Sequence, residues 1–317
     1  MPLAEPPTLD DVRAARERIA GAVVRTPLVR LNVDAPAEIY LKLETLQPIG
    51  SFKLRGASNA IRSLPREALA EGVYTASAGN MAQGVAWGAR ALGVPCTVIM
   101  PDSAPRTKID AVSRFGASIV YLPYDEWWQT LADHGRAGVR GTFIHPVADR
   151  AVMAGNGTIG LEIVEDLPDV DAVLVPFGGG GLVSGIATAV RALAPGAMIY
   201  GCEVATSTPL TAAIAANGPV LVERTASFVD GIGGRGVLPE MWPIVRPLVD
   251  GALVASLDAV ARAVRLLVER ARIVAEGAGA TPVACALQGR PAAGRIVCVV
   301  SGGNIDSRTL IELLSDG

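Results

Sequence analysis

The chain has 317 residues, of which 50% are hydrophobic and 19% charged, and its 28 lysines and arginines face 31 aspartates and glutamates for a net charge of −3. This length and apolar content allow a substantial core and suggest two lobes, which excludes disorder as the main theme. The charge balance offers no basic field for nucleic acid or anionic lipid, so a small soluble molecule is the expected partner.

Glu5, Asp10 and Asp11 stand where a secretory leader needs a basic start and an apolar run, which predicts a cytoplasmic protein. Thr8, with Asp11 three residues on, forms a capping box that opens the first helix. The segment Gly50–Gly56 embeds Lys53 among small and apolar neighbours ahead of a helical run. Such surroundings lower an amine's pKa and suit it to imine chemistry. Taken alone, the same lysine reads as a solvated helix-end charge.

From here short, apolar, β-rich runs alternate with longer helical patterns. They are Tyr74–Ser77 then 81–92, Cys96–Met100 then 105–115, and Ser118–Leu122 then 125–139. Ala172–Phe177 then 181–193, Met198–Val204 then 206–216, and Arg295–Val300 then 305–314 complete the series. This is the rhythm of βα units around a mostly parallel sheet. No repeat or low-complexity linker divides the chain. A second lobe is therefore expected as an insertion, residues 49–145, between two parts of a large lobe, 1–48 and 146–317.

Three loops at strand ends carry candidate chemistry. Ser77-Ala78-Gly79-Asn80-Met81-Ala82-Gln83-Gly84 could hold a carboxylate with hydroxyl, amide and N–H donors, or could simply start a helix. Phe177-Gly178-Gly179-Gly180-Gly181-Leu182 follows an apolar strand and opens a helix, so its N–H groups could converge on a phosphate. A tight strand-to-helix turn is the alternative, and the dinucleotide fingerprint fails because Val183 and Ser184 stand where its last glycine is required. Ser301-Gly302-Gly303-Asn304 closes the last strand, where α/β sheets place ligands. Residues 172–190 lack charge, but Pro176 and the glycines from Gly178 to Gly185 break any spanning helix, so no membrane segment is expected. Cys96, Cys202, Cys285 and Cys298 lack ligand-like spacing, and with His134 and His145 as the only histidines no metal site is expected.

A phosphate cradle, an imine-forming lysine and a carboxylate loop are the parts a pyridoxal phosphate enzyme needs. The motifs PIGSFKLRGA, SAGNMAQG, GNGTIGLEI, PFGGGGLVSGIA and VVSGGN resemble the threonine/serine dehydratase group of fold-type-II pyridoxal-phosphate enzymes, from about Thr26 to Asp306. Serine racemase shares this frame, as does cysteine synthase more distantly. The resemblance implies an α/β fold of the tryptophan synthase β type, with two open, mostly parallel sheets in a large and a small lobe. It implies a homodimer, with pyridoxal 5′-phosphate carried on Lys53. Phe52 would lie against the ring, Asn80 would bond the ring hydroxyl, and Gly178, Gly179, Gly180, Gly181 and Leu182 would supply phosphate-binding amides. Ser301 would meet the pyridine nitrogen; a neutral hydroxyl there makes the ring a weaker electron sink than a carboxylate would, favouring prompt expulsion of a β-leaving group.

The implied reaction is β-elimination from a small L-β-hydroxyamino acid such as threonine or serine, giving a 2-oxo acid and ammonia. Lys53 and Ser77 would be catalytic, and Ser77, Ala78, Gly79, Asn80, Met81 and Gln83 would contact the substrate. A β-replacement synthase, a racemase and a non-catalytic binding module are the alternatives. Ala78 stands where serine racemase has a proton-donating serine, which places racemisation below dehydration. Because the chain ends soon after Asn304, no regulatory domain and no isoleucine control are expected.

Several residues depart from the family pattern. Met81 replaces a histidine, Asn156 replaces a glutamine, and Pro209 stands where an aspartate would join Glu203 in binding a cation. Trp127 and Trp128 read as lobe core and interface or as pocket walls, and Arg235 as a solvated loop residue or a partner for a second substrate carboxylate.

Overall fold

The computed structural model describes residues 5–289, 291 and 294–315, so residues 1–4, 316 and 317 at the outer limits of the expected large lobe lie outside the described residues. In chain order it forms α1 (Leu9–Ile19), β1 (Leu28–Arg30), β2 (Glu38–Leu43), α2 (Lys53–Arg62), α3 (Arg66–Glu71), β3 (Val73–Ala76) and α4 (Asn80–Leu92). There follow β4 (Cys96–Pro101), α5 (Arg106–Ser113), β5 (Ser118–Leu122), α6 (Tyr124–Ala132), β6 (Thr142–Phe143), α7 (Arg150–Asp166), β7 (Ala172–Pro176) and α8 (Gly181–Leu193). The chain closes with β8 (Met198–Val204), α9 (Pro209–Ala216), α10 (Trp242–Val245), β9 (Gly251–Ala255), α11 (Leu257–Leu266), α12 (Gly277–Leu287), β10 (Arg295–Val300) and α13 (Ser307–Ser315).

These strands make two sheets. One has six strands in the order β1-β2-β10-β7-β8-β9, parallel except for β1 against β2. The other has four parallel strands in the order β5-β4-β3-β6. The α/β fold with two mostly parallel sheets is thus as the sequence predicts. Central strands β7 and β10 are almost wholly buried, as continuous apolar runs covered by helices on both faces should be. The capping box is also present, with Thr8 Oγ1 accepting from Asp11 N and Asp11 accepting from Thr8 N.

The helix expected over 125–139 stops at Ala132, because His134 at φ 54° and Gly135 at φ 149° leave helical space. The helix expected from 206 begins at Pro209, whose ring disfavours helical backbone at Thr208. Among the described residues no helix is long and apolar enough to cross a membrane.

A buried ion cluster ties α2 to the six-stranded sheet. Arg55 reaches Glu44 through Nε and Nη2, each at 2.8 Å, and Glu162 through Nη1 at 2.7 Å and Nη2 at 2.9 Å. Lys42 Nζ joins Glu162 at 2.6 Å. Two cations thus meet two carboxylates, Thr26 Oγ1 donates to Glu44, and Thr158 Oγ1 and the Val24 carbonyl accept from Arg55. Arg55 lies two residues beyond Lys53, so the cluster fixes the start of the helix that presents the amine.

Candidate active site

Lys53 opens α2, and its Nζ donates to the Pro146 carbonyl at 2.8 Å while lying 5.1 Å from the Phe52 ring centroid. A carbonyl satisfies the amine without supplying a full counter-charge. Burial therefore lowers its pKa from 10.5 to about 8, against an opposing pull from Glu276. Phe52 N–H donates to Ser301 O at 2.9 Å and Ser51 bridges Gly302, which sets the lysine at the end of β10.

The glycine run turns from β7 into α8. Gly180 has φ 96° and no side chain caps the helix, so the first N–H groups of α8 lack a side-chain acceptor. A Cβ on Gly179 would come within 2.6 Å of Val147 Cγ2, and one on Gly181 within 2.8 Å of the Val147 carbonyl oxygen. Side chains are therefore excluded there, leaving main-chain N–H groups and the helix dipole to meet an anion. Asn156, the shortened amide, donates to Gly181 O at 3.3 Å and so braces this turn.

A cavity of about 300 Å³ joins these parts. Phe52, Lys53, Ser301 and the whole run from Gly178 to Leu182 line it. Opposite them, the loop entering α4 contributes Ser77, Ala78, Gly79, Asn80 and Met81, whereas Gln83, a turn further along, is not among the lining residues. Ser77 Oγ accepts from Gly79 N–H at 3.2 Å, which holds that loop in a tight turn. Trp127 lines the cavity while packing against Tyr74, Ile99 and Leu122; Trp128 is exposed. Arg235 is exposed and outside the lining.

Three charged lining residues were not anticipated. Lys108 of α5 pairs with Asp230 at 2.6 Å, and Glu276 accepts from Asn80 Nδ2 at 2.9 Å. Burial, helped by Asp230, raises the Glu276 pKa from 4.5 to about 7. Sequence gives a faint signal for Glu276, an acidic residue directly before a run of small residues; Lys108 and Asp230 look like ordinary surface charges.

Two possible metal positions resolve differently. The Glu203 carboxylate accepts from Leu210 N at 2.6 Å and from Thr211 N and Oγ1 at 2.9 and 2.6 Å, so it caps α9. His134 and His145 stack at 4.5 Å beside Glu240. His145 Nδ1 accepts from Val147 N and Ala148 N at 3.0 and 2.7 Å, which leaves the hydrogen on Nε2 and no lone pair there for a metal.

The cavity thus offers an amine of lowered pKa, a ring of glycine N–H groups that excludes side chains, and a hydroxyl-bearing loop. This donor set fits a phosphate-bearing aldehyde such as pyridoxal phosphate. Comparison with known proteins agrees. The family model described as "Pyridoxal-phosphate dependent enzyme" matches residues 19–302. The chain is 42% identical over 313 residues to an L-threonine ammonia-lyase of Geobacter sulfurreducens, covering 96% of this chain and 78% of that one. Its fold is similar to maize serine racemase, with a TM-score of 0.90, 32% identity and 98% of each chain covered. It also resembles the processed form of threonine deaminase isoform 2 from Solanum lycopersicum, with a TM-score of 0.85, 30% identity, and 99% of this chain and 96% of that one covered.

Proposed function

The chain belongs to the pyridoxal-phosphate dependent enzymes, and from that premise we propose that it is an ammonia-lyase that removes water from a small L-β-hydroxyamino acid, with L-threonine or L-serine as substrate. The observation that carries the reading is the meeting of the lowered-pKa Lys53 amine and the glycine N–H cradle in one cavity. Lys53 would bear the cofactor, Gly178 to Leu182 its phosphate, Phe52 and Asn80 its ring and hydroxyl, and Ser301 its nitrogen. When bound, the cofactor supplies the electron sink for carbanion character at Cα.

The protein's groups supply the rest. Ser77 and the N–H groups of the loop entering α4, the main-chain N–H of Asn80 included, grip the substrate carboxylate, which aligns the Cα–H bond with Lys53. Lys53 Nζ, freed when the substrate amine takes its place, would take the α-proton, and the burial that lowers its pKa suits it to be neutral for that role. The β-hydroxyl leaves with a proton as water, and the enamine hydrolyses to a 2-oxo acid and ammonia. Ala78 lines the cavity and has no proton to offer the opposite face of Cα, which favours elimination over racemisation.

The division into lobes 1–48 with 146–317 and 49–145 is supported by the four-stranded sheet, whose strands all lie within 73–143. A homodimer in the cytoplasm completes the reading, and four free cysteines suit a reducing compartment.

The test is an absorbance spectrum of the purified protein with added pyridoxal phosphate, followed by 2-oxo acid and ammonia assays on L-threonine, L-serine, L-3-hydroxyaspartate and L-phenylserine. The expected result is a visible band and product in the wild type, both absent in Lys53→Ala. Product that appears only after a thiol acceptor is added would indicate β-replacement, and no band at all would refute cofactor binding.

A further inference from the structure

Asn80 sits at the end of a hydrogen-bond chain whose direction is fixed by chemistry. The Ile49 main-chain carbonyl can only accept, so Asn304 presents Nδ2 to it, at 2.8 Å. The same Nδ2 donates to Asn80 Oδ1 at 2.8 Å, which leaves Asn80 Nδ2 to donate to Glu276 Oε1 at 2.9 Å. The amide of Asn80 is therefore held at both ends.

Glu276 is itself held by its main chain. Its N–H donates to Gly302 O at 3.0 Å, directly after Ser301, and it stands at the N-terminal cap position of α12 with its side chain left out of the capping bonds. A Cβ on Gly302 would approach Glu276 Oε1 to 2.6 Å, so this glycine leaves the room that the carboxyl occupies. Within the cavity lining, Glu276 thus connects the end of the six-stranded sheet to the head of α4 on the four-stranded one.

We propose that Glu276 is a positioning residue for the reaction at Lys53, acting through Asn80; the inference rests on the reading of Lys53 as the cofactor-bearing amine. Asn80 Nδ2 spends one hydrogen on Glu276 and keeps the second for a ligand in the cavity. Burial and Asp230 raise the Glu276 pKa to about 7, while the Asn80 bond, Lys108 of α5 and Lys53 of α2 act in the opposite direction. A carboxylate oxygen accepts from an amide more strongly than a neutral carboxyl does, so the grip on Asn80 tightens as pH rises through this value.

The experiment compares wild type, Glu276→Gln and Glu276→Ala, reading the pyridoxal phosphate dissociation constant and the visible absorbance of each loaded protein across neutral pH. Gln keeps an accepting Oε1 and cannot ionise. It should bind the cofactor within about threefold of wild type while losing the transition at about pH 7. Ala removes the acceptor and should weaken binding about tenfold, the scale of one lost hydrogen bond. Wild-type affinity in both variants, with the neutral transition intact in Gln, overturns the proposal. Should Ala fail to fold by circular dichroism, the Gln titration decides alone. If wild type itself shows no Lys53-dependent band, the enzymatic reading fails first; if it binds normally and the variants match it, only the role of Glu276 fails.

Discussion

A lysine held in a cavity is a cost to the folded chain, and Lys53 shows how large. With its pKa lowered from 10.5 to about 8, the amine is charged in both folded and unfolded states at pH 7, so the burial penalty is felt in full there. Between pH 8 and 10.5 the unfolded chain binds more protons, and stability of the cofactor-free protein should rise with pH across that window. Glu276 does the reverse: its pKa is raised from 4.5 to about 7, the folded chain binds more protons between those values, and stability falls as pH rises through them. We predict that Lys53→Met stabilises the cofactor-free protein at pH 7 by about 1–3 kcal/mol while abolishing activity, a trade expected of functional groups. Urea unfolding measures it, and a destabilised variant would mean that the amine is not penalised by its surroundings. Lys53 and Gly178 to Leu182 stood out through the set of motifs they belong to, since each alone reads equally as ordinary structure, and they do line one cavity. Glu276, Lys108 and Asp230 did not stand out, since nothing in a local pattern distinguishes a carboxylate on a cavity wall from one in water.

At the scale of elements, what anchors Lys53 is the cluster around Arg55. Against the cost of burial, Glu44 and Glu162 hold the guanidinium above its ordinary pKa, and each carboxylate receives two of its N–H groups. Removing one partner from such a cluster strands the others, so Arg55→Met should destabilise by about 3–5 kcal/mol, and Arg55→Lys should recover little because an ammonium cannot fork to both acceptors. Denaturant midpoints test this; a loss below about 1 kcal/mol would show that the cluster contributes little to folding. The same cluster explains a gap in the sequence reading. β2 runs Glu-Ile-Tyr-Leu-Lys-Leu, and its fully buried Lys42 gives it the alternation of a half-exposed strand, unlike the continuous apolar runs that were recognised. α12 escaped for the opposite reason. Gly277, Gly279 and Pro282 read as helix breakers, yet the helix is buried along most of its length, where close approach favours small residues.

For the whole molecule, chain order is compatible with the proposed insertion of one lobe in another. β10, near the C-terminus, lies between β2 and β7, so strands from before and after the 49–145 segment share one sheet. The cavity is then lined from both sheets, and two contacts between lining residues cross it: Asn80 with Glu276 at 2.9 Å and Lys108 with Asp230 at 2.6 Å. The Lys108–Asp230 pair is 36% and 50% exposed at its side chains, so solvent screens it and it adds little to stability. The two sheets are coupled within the protein by α2, which packs on α4 and α7 in one buried cluster with Val73 and Val152, and a ligand in the cavity would add to that coupling. A ligand at a hundred times its dissociation constant stabilises the state that binds it by about 2.7 kcal/mol, and that energy is shared by every element whose opening releases the ligand. Saturation with pyridoxal phosphate should therefore slow amide hydrogen exchange both around Gly178 to Leu182 and in the loop entering α4, in wild type far more than in Lys53→Ala. Protection confined to the glycine turn would mean that the phosphate alone is held and that the four-stranded sheet takes no part in binding.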